Sequence, residues 1–144
     1  MISQLIAAFL GSLGFALFFK MKGRQVFLAA VGGAVTWGVY LIAYSYLESY
    51  FVSNLIAAVF VAIFAEIMAR LNKAPTTIFL TAAAVPLIPG GSLYYTMFGL
   101  VSEDKDLFVQ SGTTAIVIAL AIAFGFVIVA VLNKYISRAI SIRK

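Results

Sequence analysis

An all-α protein integral to a membrane, with about five transmembrane helices, the N-terminus outside and the C-terminus inside, is the fold class this sequence predicts. Three observations predict it. Across 144 residues, 64% are hydrophobic and only 10% charged, with a mean hydropathy of +1.10, well outside the range of soluble domains. A soluble chain this small has too little interior to hide so much apolar surface. The apolar residues also gather into five blocks, residues 2–19, 26–47, 53–71, 75–101 and 110–132, each near the 17 to 25 residues that cross a hydrocarbon core of roughly 30 Å. Finally, nine of the ten basic residues fall in alternate loops or the C-terminal tail.

The first block has no basic segment before it and no small-residue cleavage site after it, which predicts a retained span rather than a signal peptide. The second carries Gly32 and Gly33, which let helices approach, and thickens in aromatics toward its far end. There Trp37, Tyr40, Tyr44, Tyr46, Tyr50 and Phe51 read as an interfacial belt.

The third block contains Glu66, the only acidic residue inside a predicted span, with Arg70 four residues later on the same helical face. That spacing and order favour an ion pair near the membrane edge, Arg70 reaching toward the headgroups. The functional reading of Glu66 is a proton or substrate-amine acceptor, with Arg70 beside it as a coupling or gating group. Ala58 and Ala62 precede it at steps of four, so Glu66 extends a small-residue stripe expected to face protein.

The fourth block is interrupted at its middle by Pro86-Leu87-Ile88-Pro89-Gly90-Gly91. Neither proline has an N–H to close a helical bond, so the carbonyls of Ala82 and Val85 lose their partners, and the glycines permit angles that other residues resist. In hydrocarbon, irregular backbone is tolerated only where protein buries it or a cavity lines it. The expectation is two half-helices, residues 75–85 and 92–101, meeting near the bilayer midplane. Free carbonyls ending the first suit a cation, and free N–H groups opening the second suit a carboxylate. Ser92 is placed to cap the second, with Tyr95 and Thr96 on its first turn. Pro86, Pro89, Gly90, Gly91, Ser92, Tyr95 and Thr96 are therefore the candidate substrate-binding residues. The simpler alternative is a kink repaired by a neighbouring helix or water.

The fifth block, with Ala115, Ala119, Ala123 and Gly125, offers another small-residue face. Lys20, Lys22 and Arg24 follow the first block, Arg70 and Lys73 the third, and Lys134, Arg138, Arg143 and Lys144 the fifth, so the positive-inside rule places those segments in the cytoplasm. A re-entrant fourth segment would leave four spans and move the basic tail outside, against that rule. The chain reads as one transmembrane domain, residues 1–144.

Several chemistries are excluded. With no Cys and no His, the chain lacks thiol nucleophiles, a Ser-His triad and the common transition-metal ligands. No P-loop or dinucleotide fingerprint occurs. A metal, a cofactor and enzymatic activity are not expected. The net charge of +5 follows from the loop bias and suits anionic lipid, giving no support to nucleic-acid binding.

The run Phe64-Ala65-Glu66-Ile67-Met68-Ala69-Arg70, then Pro75-Thr76, then the Pro86 to Gly91 segment with Tyr94-Tyr95 after it, resembles the threonine/serine exporter family. It is most similar to that exporter's small, all-membrane half, over essentially the whole length. The resemblance implies a secondary exporter of small hydrophilic metabolites, threonine and serine foremost, in a bacterial plasma membrane. It also implies a larger membrane subunit as partner, because split members of the family carry the two halves as separate proteins. Energy is expected from the proton gradient, as no nucleotide-binding motif is present. Export of small dicarboxylates such as succinate, with Arg70 as the second positive group, is the nearest alternative. An assembly subunit with no substrate site of its own is the alternative from another class.

Overall fold

A computed structural model describes residues 2–142, with side chains described through Tyr135. Six α-helices follow in order: α1 (Ile2–Phe18), α2 (Arg24–Leu47), α3 (Tyr50–Asn72), α4 (Thr76–Ala84), α5 (Gly90–Val101) and α6 (Lys105–Ile142), with a single 3₁₀ turn at Val85–Leu87 between α4 and α5. No strand occurs among the described residues.

Length and apolarity let α2, α3 and the Lys105–Tyr135 part of α6 each cross a membrane. The pair α4 and α5, bent by 55°, makes a fourth if it counts as one span. With 17 residues, α1 is apolar but shorter, about 25 Å at 1.5 Å per residue against a core of roughly 30 Å. The five expected blocks thus all become helix, while the long spans number three, or four with the bent pair.

The helices α1 to α4 form a closed bundle, with α1 on α2, α2 on α3, and α4 against all three. Glycines set how closely they approach. Gly33 of α2 lies directly on the Ser12 side chain of α1, and Gly32 lies on the ring of Phe64 of α3. Gly125 of α6 seats on α3, where an added Cβ would come 2.6 Å from the Ala58 Cβ and 3.2 Å from the Leu55 carbonyl oxygen. Without a hydrophobic driving force between helices in lipid, such small-residue contacts supply the dispersion that holds them together. The stripe expected to face protein does so at Ala58 and Ala62, both buried.

Met21 of the α1–α2 loop is buried in one cluster with Ala65, Ala69 and Phe79. That cluster brings the α1–α2 and α3–α4 loops to the same end of the bundle, together with Lys20, Lys22, Arg24, Arg70 and Lys73. A hydrogen bond from Arg70 to Asn133 brings the Lys134 region of α6 to that end as well. The charge of Arg138 falls where side chains are not described, and Arg143 and Lys144 lie outside the described residues. At the opposite end α2 closes at Glu48, in the left-handed conformation, and Ser49 accepts from the Val52 N–H to open α3.

Beyond the 3₁₀ turn the chain leaves this bundle. α5 packs essentially on α6 alone, drawn in by Gly99, whose Cβ position is 2.6 Å from the Phe108 amide nitrogen. The Asp104 carboxylate accepts from the Leu107 N–H at 3.0 Å and opens α6. At 38 residues α6 is about 57 Å long. Its later part packs on α3 and its first part carries α5, so α5 and the start of α6 form an arm attached to the bundle through α6 and the break.

Candidate functional site

The break is built from a short sequence of forced choices. Pro86 offers no N–H to the Ala82 carbonyl, so α4 stops and the chain tightens into the 3₁₀ turn, where the Ile88 N–H bonds back to the Val85 carbonyl at 3.1 Å. The Gly90 N–H then reaches the Ile88 carbonyl at 2.7 Å, and α5 begins with the Leu93 N–H on the Pro89 carbonyl at 2.9 Å. Leu87 anchors the turn, buried with Ala57, Ala58, Val61 and Ala83. Ala57, Ala58 and Val61 lie along the middle of α3, so the break sits deep between the two ends of the bundle.

Two details differ from the sequence reading. The cap position of α5 is Pro89, and Ser92 lies inside the first turn. Proline already holds the φ that a helix start needs, which lets α5 begin earlier than the serine would set it. Gly90 and Gly91 do not use left-handed angles, Gly23 being the one glycine described with positive φ. Nothing lies within 4 Å of a Cβ added at either, so what they provide is an uncovered backbone.

At this opening turn the N–H groups of Gly91 and Ser92 have no partner among the described residues. They border a cleft of about 480 Å³ between α5 and α6, walled by Gly91, Ser92, Tyr95, Gln110, Ser111 and Thr114. Thr96 donates to the Ser92 carbonyl at 2.7 Å and its methyl group approaches Gly112, so it ties α5 to α6 next to this cleft. The hydroxyls of Thr113 and Thr114 bond back to the carbonyls of Val109 and Gln110 at 2.8 Å each, leaving Gln110 and Ser111 as the side chains α6 offers. The cleft therefore presents N–H, hydroxyl and amide groups beside Leu107 and is open on one side.

On the other face of the break a cleft of about 270 Å³ lies between Gln4, Ala7, Ala8 and Gly11 of α1, Trp37 of α2, and Val85 and Pro86. Trp37 stacks on Tyr40 with ring centroids 4.7 Å apart, and its indole nitrogen is buried without an acceptor. It does not belong to an interfacial belt. Ten residues separate it from the end of α2, about 15 Å of helix, which sets it at the depth of the break.

The candidate residues thus fall in three places. Gly91, Ser92 and Tyr95 share the α5–α6 cleft, and Pro86 faces α1 and Trp37. Glu66 and Arg70 line a third cleft with Asn133, at the basic end of the bundle. Residue spacing groups Glu66 with Arg70, but only the fold shows that they stand apart from the break.

The family model described as Threonine/Serine exporter, ThrE, matches residues 4–132. The chain belongs to the threonine/serine exporter family. No curated protein and no solved structure matches it. The matched stretch of this exporter-family chain runs from Gln4 through α5 and most of the described α6, so it contains the break and both clefts beside it. Among the described residues no group of His, Cys, Asp and Glu could hold a metal ion. Membership makes the chain a membrane protein of threonine/serine exporter type, in keeping with its apolar helices.

Proposed function

We propose that this chain is the small subunit of a two-part secondary exporter of threonine and serine in the plasma membrane, working with a separate larger membrane subunit and driven by the proton gradient. The observation that carries this reading is the break itself, where two unpaired N–H groups and the side chains of Ser92, Tyr95, Gln110 and Ser111 border one open cleft beside it in an exporter-family fold. A substrate carboxylate would rest on the Gly91 and Ser92 N–H groups at the positive end of α5. The Ser92 hydroxyl and the Tyr95 phenol would meet its polar groups, with Thr96 holding that turn against α6.

The openness of the cleft supports a partner. Tyr94, Tyr95, Met97 and Phe98 on α5 are each more than half exposed, while α5 packs on little besides α6. A polar cleft open to hydrocarbon would leave its donors unsatisfied. The larger subunit would close it. With the basic helix ends facing the cytoplasm, the positive-inside rule places the α2–α3 and α5–α6 turns outside.

The test is efflux of preloaded labelled threonine, serine and succinate from vesicles holding this chain alone, its larger partner alone, or both. Efflux of threonine and serine only from the pair, collapsing when the proton gradient is dissipated, is the expected result. Equal efflux from the partner alone would reduce this chain to an assembly subunit, and selective succinate efflux would replace the substrate assignment.

A further inference from the structure

The third cleft takes no part in the proposed function, and its chemistry is specific. Arg70 Nε approaches Glu66 Oε2 to 3.9 Å, beyond hydrogen-bond range, while its guanidinium donates to Asn133 Oδ1 of α6 at 2.6 Å. Arg70 and Glu66 form a loose ion pair, which leaves most of the guanidinium's five donors, and the Glu66 carboxylate oxygens, without a hydrogen bond among the described residues. Next to these polar groups the cleft, about 350 Å³, is walled by Ile63, Ile67, Val129 and Leu132. Ile63, Ile67 and Leu132 are 46%, 49% and 54% exposed, so the groove between α3 and α6 opens sideways toward hydrocarbon. Arg70 stands two residues from the end of α3, at the depth where lipid headgroups lie.

We propose that this groove binds a phospholipid with a primary-amine headgroup of the phosphoethanolamine type, its phosphate on Arg70 and the Asn133 amide, its ammonium on Glu66, and an acyl chain along the aliphatic walls. One cation and one anion one helical turn apart match a headgroup carrying both charges. An anionic lipid without an amine competes with Glu66 for Arg70 and brings no ammonium to offset the carboxylate, and a choline headgroup offers no N–H to it. A soluble zwitterion matches the two charges but leaves the aliphatic groove empty.

The test titrates the purified full-length chain in detergent with dioleoyl lipids carrying ethanolamine, choline or glycerol headgroups, counting bound lipid by native mass spectrometry. The ethanolamine lipid binds tighter than the other two by about fivefold, the factor that about 1 kcal/mol from a partly exposed charge pair supplies. Glu66→Gln abolishes the preference over the glycerol lipid, Arg70→Gln weakens all three, and Arg70→Lys, which keeps the charge, retains the order. Equal affinity for the three lipids, or a preference that survives Glu66→Gln in a variant with unchanged helical circular dichroism, overturns the proposal. So does displacement of the ethanolamine lipid by millimolar free threonine or phosphoethanolamine, which would assign the charges to a soluble ligand.

Discussion

The bundle of α1 to α4 and the arm of α5 with the start of α6 are finished to different degrees. Within the bundle, Phe79, Val61, Thr36, Ser12 and Ser53 are fully buried. On α5 only Gly99 is buried. The difference does not come from weak joints, because Gly99 meets Phe108 as closely as Gly125 meets Ala58. It comes from how many faces each helix has covered. A helix with one covered face, carrying polar groups at its opening turn, is a surface awaiting another protein, and the bundle is the scaffold that presents it.

The largest effect is expected where the scaffold itself is held. Gly125→Val drives a branched side chain into the Ala58 Cβ, the Val59 nitrogen and the Leu55 carbonyl oxygen, and backbone cannot step aside as a flexible side chain would. A loss of about 3 kcal/mol, the upper end of overpacking costs, should appear as a strongly lowered thermal midpoint in detergent, with efflux lost as a consequence. An unchanged midpoint would mean that α6 is not fixed to α3.

Gly99→Val presses equally hard, on the Phe108 nitrogen and Cα at 2.6 and 3.0 Å, but at a joint that serves the arm alone. Efflux by the assembled pair should fall at least tenfold, while the thermal midpoint moves far less than for Gly125→Val. Equal destabilisation by both variants would erase the distinction between bundle and arm.

Gly90→Ala with Gly91→Ala separates a binding role from a packing role. Neither Cβ meets anything within 4 Å, both positions have ordinary helical angles, and alanine is the better helix former by about 1 kcal/mol per residue. Stability should hold or rise. Transport per molecule should fall several-fold, because two methyl groups now stand where substrate must approach the N–H groups. Unchanged transport with reduced abundance of the larger subunit would favour the assembly reading.

How much of this was legible in the sequence depends on whether the signal is local. The break could be read at once, since a missing N–H is a property of the residue, and so could the pairing of Glu66 with Arg70, which is a property of helical spacing. The depth of Trp37 was legible in principle from its ten-residue distance to the end of α2, but the aromatics that follow it obscured that. The α6 side of the cleft was not legible. Gln110 and Ser111 stand early in a 38-residue helix, and only the packing of α5 on α6 brings them opposite Gly91 and Ser92. The separation of Glu66 from the break was hidden for the same reason, because periodicity states which residues share a face and not which helix that face meets.

Trp37 stands where the two regions join, and the smallest expected effect is the most diagnostic of that junction. Its indole N–H is buried without an acceptor, beside a turn whose Pro86 cannot serve the Ala82 carbonyl. A buried unmet donor costs about 1 to 3 kcal/mol, while swapping it for an apolar group of similar shape is close to neutral. Trp37→Phe keeps a ring for stacking on Tyr40 and removes the donor, at the expense of a smaller ring in the same space, which costs in the opposite direction. The two terms nearly cancel, so the stability should stay within about 1 kcal/mol of the parent, read as a nearly unchanged thermal midpoint. A fall of 3 kcal/mol or more would show that the N–H has an acceptor in the membrane, and the Ala82 carbonyl, which Pro86 leaves without its helical donor, is a group that could serve. The junction would then be a bonded hinge between bundle and arm rather than a simple interruption of the helix.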